Sequence, residues 1–405
     1  MNGPRACVAG AALLLLVWGL CGAAHAAPDS VFVVAEPSAT ARGWRGAQDL
    51  FWLAEQALAI ALPAALLFSG LGARLRTALD GLTGERRLLT ASLFAGAYAL
   101  LALATKLPLS AARRWLAESY GLKTLDWPSW GLSQVQSAWP MVAAALLLGW
   151  APYLLFARSP RRWPFWGAGI LGVVAALLLT AQPLWHDLQP LRDPEVNATI
   201  DRLTAAAGAS AVRVALREAE RAEPCGSATV LGLGPSKVMV LDTGLLRNHP
   251  PREIAQTIAH ELKHYTRQDD LKALWAALVL IGSAMIVLYV ASSLFLHWSG
   301  GRFGFSELRD PASLPLLMLI LALYGPLASA GFHAFGRGIE LGADRFALHL
   351  TQDRHAVAGQ MQRYLACSSL KDPDISWIRR TFRQSHPSLR ERIALAQAHP
   401  IARSK

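Results

Sequence analysis

Six apolar stretches punctuate this chain, near residues 50–72, 88–106, 139–157, 165–183, 271–296 and 312–335. Each is long enough, or nearly so, to carry an α-helix across the roughly 30 Å hydrocarbon core of a bilayer. Their interiors hold almost no charge. That argues against a transporter or an ion pathway, where ionisable groups inside the membrane carry the function. Residues 107–138 mix polar positions with Trp115, Trp127 and Trp130 and read as an amphipathic connection lying at the interface.

From about Leu184 the pattern becomes that of a water-facing region. Residues 194–222 read as a charged, solvated helix. Ala228 to Gly234 and Lys237 to Thr243 then alternate apolar with small residues around Gly234-Pro235-Ser236, which predicts a β-hairpin. This is either a small sheet capping the next helix or an edge that receives an extended substrate as an added strand, and both can hold. Pro250-Pro251-Arg252-Glu253 is a helix start, with proline where no amide donor is needed and an acid in the first turn. Ile254, Ile258 and Leu262 continue it as an apolar stripe. After the sixth stretch a polar, mostly helical tail follows, broken at His386-Pro387, with a last helix starting at Glu391-Arg392.

Residues 1–27 carry Arg5, an apolar core from about Val8 to Leu20, and Ala24-His25-Ala26. This is the layout of a cleavable secretory signal, with a retained first transmembrane helix as the rival reading. The expected organisation is therefore a leader (1–27), a membrane region of about four spans (28–183), a water-facing region (184–270), a transmembrane hairpin (271–336) and a C-terminal segment (337–405).

Composition agrees with the pattern. The 405 residues are 53% apolar, with a mean hydropathy of +0.30, well above a soluble balance. The net charge of +11 is largely arginine and reads as attraction to a membrane surface; no nucleic acid partner is expected. Arg74, Arg76, Arg86 and Arg87 crowd one short connection, and Arg158, Arg161 and Arg162 another. If both face the cytoplasm, parity puts the 250–270 helix on the other side, and a secretory leader agrees. Cys7 and Cys21 lie in the leader, whereas Cys225 and Cys367 can pair if their region faces outward.

The candidate chemistry sits on the helix begun at Pro250, in His260-Glu261-Leu262-Lys263-His264. Two histidines four apart on a helix are separated by about 40° and roughly 6 Å, so both rings can grip one ion. Zinc is the usual guest of two imidazoles and a carboxylate, with water in its fourth position, and Glu261 falls beside that water as a proton acceptor. The bland alternative, a surface helix with two solvated histidines, is weakened by the pattern downstream. Glu340-Leu341-Gly342-Ala343-Asp344 repeats helical spacing, so Glu340 can supply a third ligand and Asp344 can accept a hydrogen bond from a ligand ring. Two apolar stretches separate His264 from Glu340, and two crossings return a chain to the same membrane face.

With these pieces in order, the chain resembles the integral-membrane zinc metalloproteases of the type I CAAX prenyl protease family and their bacterial relatives, from about Leu50 to Leu395. The resemblance rests on Leu107-Pro108-Leu109-Ser110, Glu118 to Gly121, Gly232 to Lys237 running into Val240 to Gly244, and His260 to His264. Arg337 three before Glu340, Ala343-Asp344, and Ser385-His386-Pro387 through Glu391-Arg392 complete it. It departs at Lys263, where glycine is usual, at Tyr265, where tryptophan is common, and at Ser227-Ala228, where Asn-Ala is usual. The resemblance implies a mainly α, polytopic membrane protein with a gluzincin-like zinc protease domain and a small β-hairpin. It implies one Zn2+ held by His260, His264 and Glu340, with Glu261 as general base. His386 and Arg392 match the family's polar residues near the metal, which steady the oxyanion or the Glu340 carboxylate.

The expected function is a membrane-bound zinc metalloendopeptidase acting on a protein or peptide, with the lipid bilayer as its other partner. The alternative is a catalytically silent, zinc-bound scaffold or chaperone, against which the complete ligands and intact Glu261 count. The eukaryotic members of the family present their site to the cytosol. The arginine-rich loops belong to this chain itself, so the reading adopted is an extracytoplasmic site in a bacterial inner membrane.

Overall fold

The computed structural model describes residues 32–34, 36–209, 212–218, 225–367 and 370–400. The leader expected at 1–27 lies outside the described residues. Among the described residues six helices are long and apolar enough to cross a membrane: Ala39–Phe68, Arg87–Ser119, Trp127–Arg158, Trp163–Trp185, Asp269–Ser299 and Pro311–Thr351. Five contain one of the apolar stretches of the sequence whole, and Ala39–Phe68 holds all but the end of the first, which runs past the break at Ser69-Gly70. In chain order the helices are α1 (Ala39–Phe68), α2 (Leu71–Thr83), α3 (Arg87–Ser119), α4 (Trp127–Leu148), α5 (Ala151–Arg158) and α6 (Trp163–Ala181). A bend at Gly149 and Trp150 divides α4 from α5 within the third span.

Residues 107–138 are not a separate connection but belong mostly to the two flanking helices. Helix α3 runs on to Ser119 with Pro108 inside it, and α4 begins at Trp127, leaving 120–126 as the link. The apolar run fades at Lys106, but a helix stops where its backbone loses partners, and here that is at Gly121, with φ of +76°. Arg114, near the end of α3, is buried and donates through Nε to the Leu125 carbonyl at 3.0 Å, which ties the link back.

The water-facing region is a four-stranded sheet with helices against it. Strand β1 is Gln189–Pro190, α7 is Pro194–Ala206, β2 is Val214–Arg217, β3 is Ala228–Leu231 and β4 is Val238–Asp242. The order across the sheet is β1–β2–β4–β3, with β2 parallel to β4 and β3 antiparallel to it, so β3 is an outer strand. The expected hairpin is β3–β4. The helix expected over 194–222 is shorter: α7 ends before Gly208, whose φ is +61°, and the chain turns back as β2. The charged flanks of Val214–Arg217 hide a strand too short to show an alternation.

Helices α8 (Thr243–Asn248) and α9 (Pro251–Thr266) follow, and then α10 (Asp269–Ser299) and α11 (Leu314–Thr351) form the membrane hairpin. Ile254, Ile258 and Leu262 of α9 bury against Ile200 and Leu203 of α7 and Met239 and Leu241 of β4. Helix α11 runs unbroken from its apolar half through Glu340 to Thr351. The tail supplies α12 (Arg354–Ala366), α13 (Trp377–Phe382) and α14 (Leu389–Ala398). Ser388 caps α14 and Glu391 returns the bond to the Ser388 amide, so the break at His386-Pro387 leads into a capping box.

The two ends of the membrane bundle differ. The α10–α11 turn meets the arginine-rich connection between α1 and α3, where Arg76 donates to the Gly304 carbonyl at 3.1 Å. Trp163, just after the second arginine-rich connection, packs in the same cluster as Phe305 and Ala312. At the hairpin's other end lie Asp269 and the Glu340 segment, beside α9. A disulfide joins Cys225, ahead of β3, to Cys367, after α12, with Cα atoms 6.2 Å apart.

Candidate metal centre

Helix α9 brings His260 and Glu261 into a buried position, because its apolar stripe packs on the sheet region while the adjoining face meets α11. One ligand atom each from His260, Glu261 and His264 lie within 4.8 Å of one another. The Nε2 atoms of His260 and His264 stand 3.2 Å apart. Glu340 closes the group, with Oε2 3.2 Å from His260 Nε2 and Oε1 3.7 Å from His264 Nε2. The four residues read from the sequence pattern, His260, Glu261, His264 and Glu340, are therefore together, although 76 positions separate the second histidine from the glutamate.

Each ring is held from behind. His260 Nδ1 is 2.9 Å from Asp344 Oδ1, and His264 Nδ1 is 2.8 Å from Asp269 Oδ2. A carboxylate can only accept, so both Nδ1 atoms donate, and in the neutral form that binds a metal each ring presents an Nε2 lone pair to the same point. Glu340 adds its carboxylate there, and its buried Oε2 makes no hydrogen bond. Three acceptors converging at this distance repel unless positive charge lies among them. Burial opposes a charged ring at His260, but the carboxylates of Asp344 and Glu340 outweigh it and lift the imidazole to about 9. The donor set therefore fits a divalent cation, and the nitrogen–nitrogen–carboxylate chemistry suits zinc.

Arg392 reaches the centre through Asp344. Its Nε and Nη2 bind the two carboxylate oxygens at 2.9 and 2.6 Å, a bidentate pair that leaves Asp344 Oδ1 shared with His260. His386 stands nearer the opening: its Nε2 is 3.4 Å from Glu340 Oε2, and its side chain is 58% exposed. Both line a cleft of about 140 Å³ with His260, Glu261, Ser227 and Ala228. The outer strand β3 thus begins at the wall of the cleft. The amide of Asp242 donates to the Ser227 carbonyl at 2.9 Å, so antiparallel alternation turns the backbone groups of Ala228 and Val230 outward.

Asp269 was not singled out by the sequence, and Lys263 stood out there only as a departure from the family pattern. Asp269 opens α10 after Gln268, whose φ of +54° makes the sharp turn out of α9. The signal was an acid five residues past His264, a spacing that no single helix makes useful. Lys263 pairs with that acid, its Nζ 2.6 Å from Asp269 Oδ2. Of the other departures, Tyr265 packs with the core between α7, α9 and β4. Ser227 donates through N and Oγ to Asp242 Oδ2 at 3.1 and 2.8 Å.

The model of peptidase family M48 matches residues 190–399. The metalloprotease YhfN of Bacillus subtilis is 27% identical over 341 residues, covering 82% of this chain and 79% of its own length. The CAAX prenyl protease 1 homolog of Caenorhabditis elegans is 24% identical over 268 residues, covering 56% of this chain and 58% of its own. In fold, the crystal structure of S. mikatae Ste24p superposes with a TM-score of 0.71 at 18% identity, covering 89% of this chain and 88% of that one.

Proposed function

This chain belongs to peptidase family M48, and from that premise we propose that His260, His264 and Glu340 hold a single zinc ion at which Glu261 serves as general base for peptide-bond hydrolysis. That it is an integral-membrane metalloprotease follows from the family and from its six apolar helices. The assignment of residues is carried by one observation: three acceptors converge, and the buried Oε2 of Glu340 has no donor.

Zinc in this place would polarise the scissile carbonyl and bring the pKa of the attacking water towards about 7. Glu261 takes that water's proton and passes one to the leaving amine. Asp344 and Asp269 hold the ligand rings by their Nδ1 protons, and Arg392 acts through Asp344 as a positioning residue. His386, beside Glu340 at the opening, is placed to donate to the oxyanion. An extended peptide adds to the outward edge of β3, its backbone held by Ala228 and Val230. A silent scaffold is disfavoured, because it has no use for Glu261 beside the ligands.

We divide the labour among a membrane region over 28–183, a hairpin over 271–336, and catalytic parts over 184–270 and 337–405. We place the centre on the extracytoplasmic face of a bacterial inner membrane. Both arginine-rich connections sit at the opposite end of the bundle, as the positive-inside rule requires, and a disulfide persists in an oxidising compartment. The substrate class is a protein or peptide reaching that membrane face.

Zinc content tests the assignment. The detergent-purified parent should hold about one zinc per chain, and Glu340→Ala should lose it or hold it far more weakly. A parent without zinc after reconstitution, or a variant that binds equally well, refutes the ligand set.

A further inference from the structure

The helix that carries both histidines has a buried lysine in its last turn. Lys263 lies immediately before His264, and its side chain is 11% exposed. Burying an ammonium is unfavourable unless it is both paired and hydrogen-bonded. Here it is both, and its two partners belong to two other helices. Nζ is 2.6 Å from Asp269 Oδ2, the oxygen that also holds His264 Nδ1. Nζ also donates to the carbonyl of Ile339 at 2.9 Å, one residue before Glu340. Asp269 opens α10 and Ile339 lies on α11, so a single ammonium on α9 touches both legs of the membrane hairpin beside the metal centre.

Asp269 has a second lysine. Lys272 reaches Oδ1 at 2.7 Å from a side chain that is 49% exposed. The two lysines therefore divide the carboxylate, the buried one on the oxygen that faces His264 and the exposed one on the other. Removing Lys263 leaves Asp269 charged and paired, but free to turn towards Lys272 and away from the ring. It also releases the α11 backbone beside Glu340. Removing Lys272 changes the charge count equally and disturbs neither.

We propose that Lys263 is a positioning residue for the metal centre. It fixes the His264 ring and the Glu340 backbone relative to each other by clamping both legs of the transmembrane hairpin to α9. It touches neither substrate nor metal, so its effect is on how tightly the ion is held and how well the ligands are aligned. The proposal rests on the zinc reading given above.

The test uses the full chain in detergent with three variants, Lys263→Met, Lys272→Met and Lys263→Arg. Zinc affinity is read by chelator competition, turnover on labelled unfolded casein. Loss of a group that orients a ligand typically weakens metal binding or activity by about 10–100-fold. Lys263→Met should therefore weaken zinc by about tenfold or more and lower kcat, with KM within about twofold of the parent. Lys272→Met should leave both nearly unchanged, and Lys263→Arg should recover most of the affinity. Lys263→Gln, which keeps a donor without the charge, stands in under the same zinc criterion should the methionine variant not fold. The proposal is overturned if Lys263→Met and Lys263→Gln bind zinc like the parent while only the unfolding midpoint falls, since that is a structural ion pair. It is also overturned if Lys272→Met weakens zinc as much, since charge and not placement would then matter. A parent that binds no zinc overturns the underlying reading, and the clamp with it.

Discussion

Replacing Asp344 by alanine removes a carboxylate that does two jobs, and the structure separates them. Asp344 is 2% exposed, accepts from His260 Nδ1 and is bound bidentately by Arg392, itself largely buried. Truncation leaves a guanidinium without its counter-charge. Breaking one side of a buried pair costs about 3–5 kcal/mol, so the zinc-free protein should lose stability in that range. The second job concerns the ion. A ligand ring whose outer partner is lost binds metal about 10–100-fold less tightly, or about 1.4–2.7 kcal/mol, so zinc should be weakened but retained. The two effects part in the double variant Asp344→Ala/Arg392→Met. Removing both partners is cheaper than removing one, so about half of the lost stability should return while zinc binding stays weak. Unfolding in mixed micelles followed by tryptophan fluorescence gives the first quantity, and competition with a zinc chelator gives the second. A double variant no more stable than Asp344→Ala would refute the pairing argument. An Asp344→Ala protein with parental zinc affinity would refute the role assigned to the His260 hydrogen bond.

Glu261→Gln should keep its zinc and lose about 10²–10⁴-fold in turnover, checked by metal analysis beside a casein assay; a zinc-loaded, active variant would sink the general-base assignment. Ala228→Pro deletes an outward-facing donor without removing a ladder bond, so KM should rise several-fold with zinc unchanged; an unaltered KM would show that substrate does not pair with β3. Cys225→Ser should lower stability by about 2–5 kcal/mol in the same unfolding assay. In whole cells, a membrane-impermeant maleimide should label Cys225 and Cys367 after reduction; labelling only in inverted vesicles would place the centre on the cytoplasmic face.

The parts of the structure that were legible in the sequence are those written in short-range periodicity. The spans announce themselves because a helix that faces lipid must be apolar on every side. His260, Glu261 and His264 announce themselves because one helix sets their geometry. Glu340 needed more: the counting of two crossings, and then the resemblance, gave a reason to pair it with residues 76 or more positions away. What stayed hidden depends on junctions. Asp269 serves His264 across the turn at Gln268, where helical spacing no longer applies, and Lys263 looks like an ordinary solvated residue until Asp269 and Ile339 are seen around it. Strand β2 is four residues long and owes its existence to the free edge of β4. The ends of α3 and α4 overran the apolar windows because hydropathy marks where lipid begins, whereas helix ends are set by backbone partners. Pairing of Cys225 with Cys367 was conditional in the sequence, since nothing local says that residues so far apart meet.

That disulfide also bears on how such an enzyme survives its own kind. The bond spans 142 positions and encloses α9, both legs of the membrane hairpin and α12. All three proposed ligands and Glu261 therefore lie within one covalent ring. Proteases concentrated in a membrane cut one another, and exposed turns on the face of the centre, such as Gly234-Pro235 between β3 and β4, are natural places for a nick. A single cut inside the ring opens it without releasing either fragment. The ligands stay on pieces that remain bonded, so self-digestion there leaves a gapped enzyme where a chain without the bond would come apart.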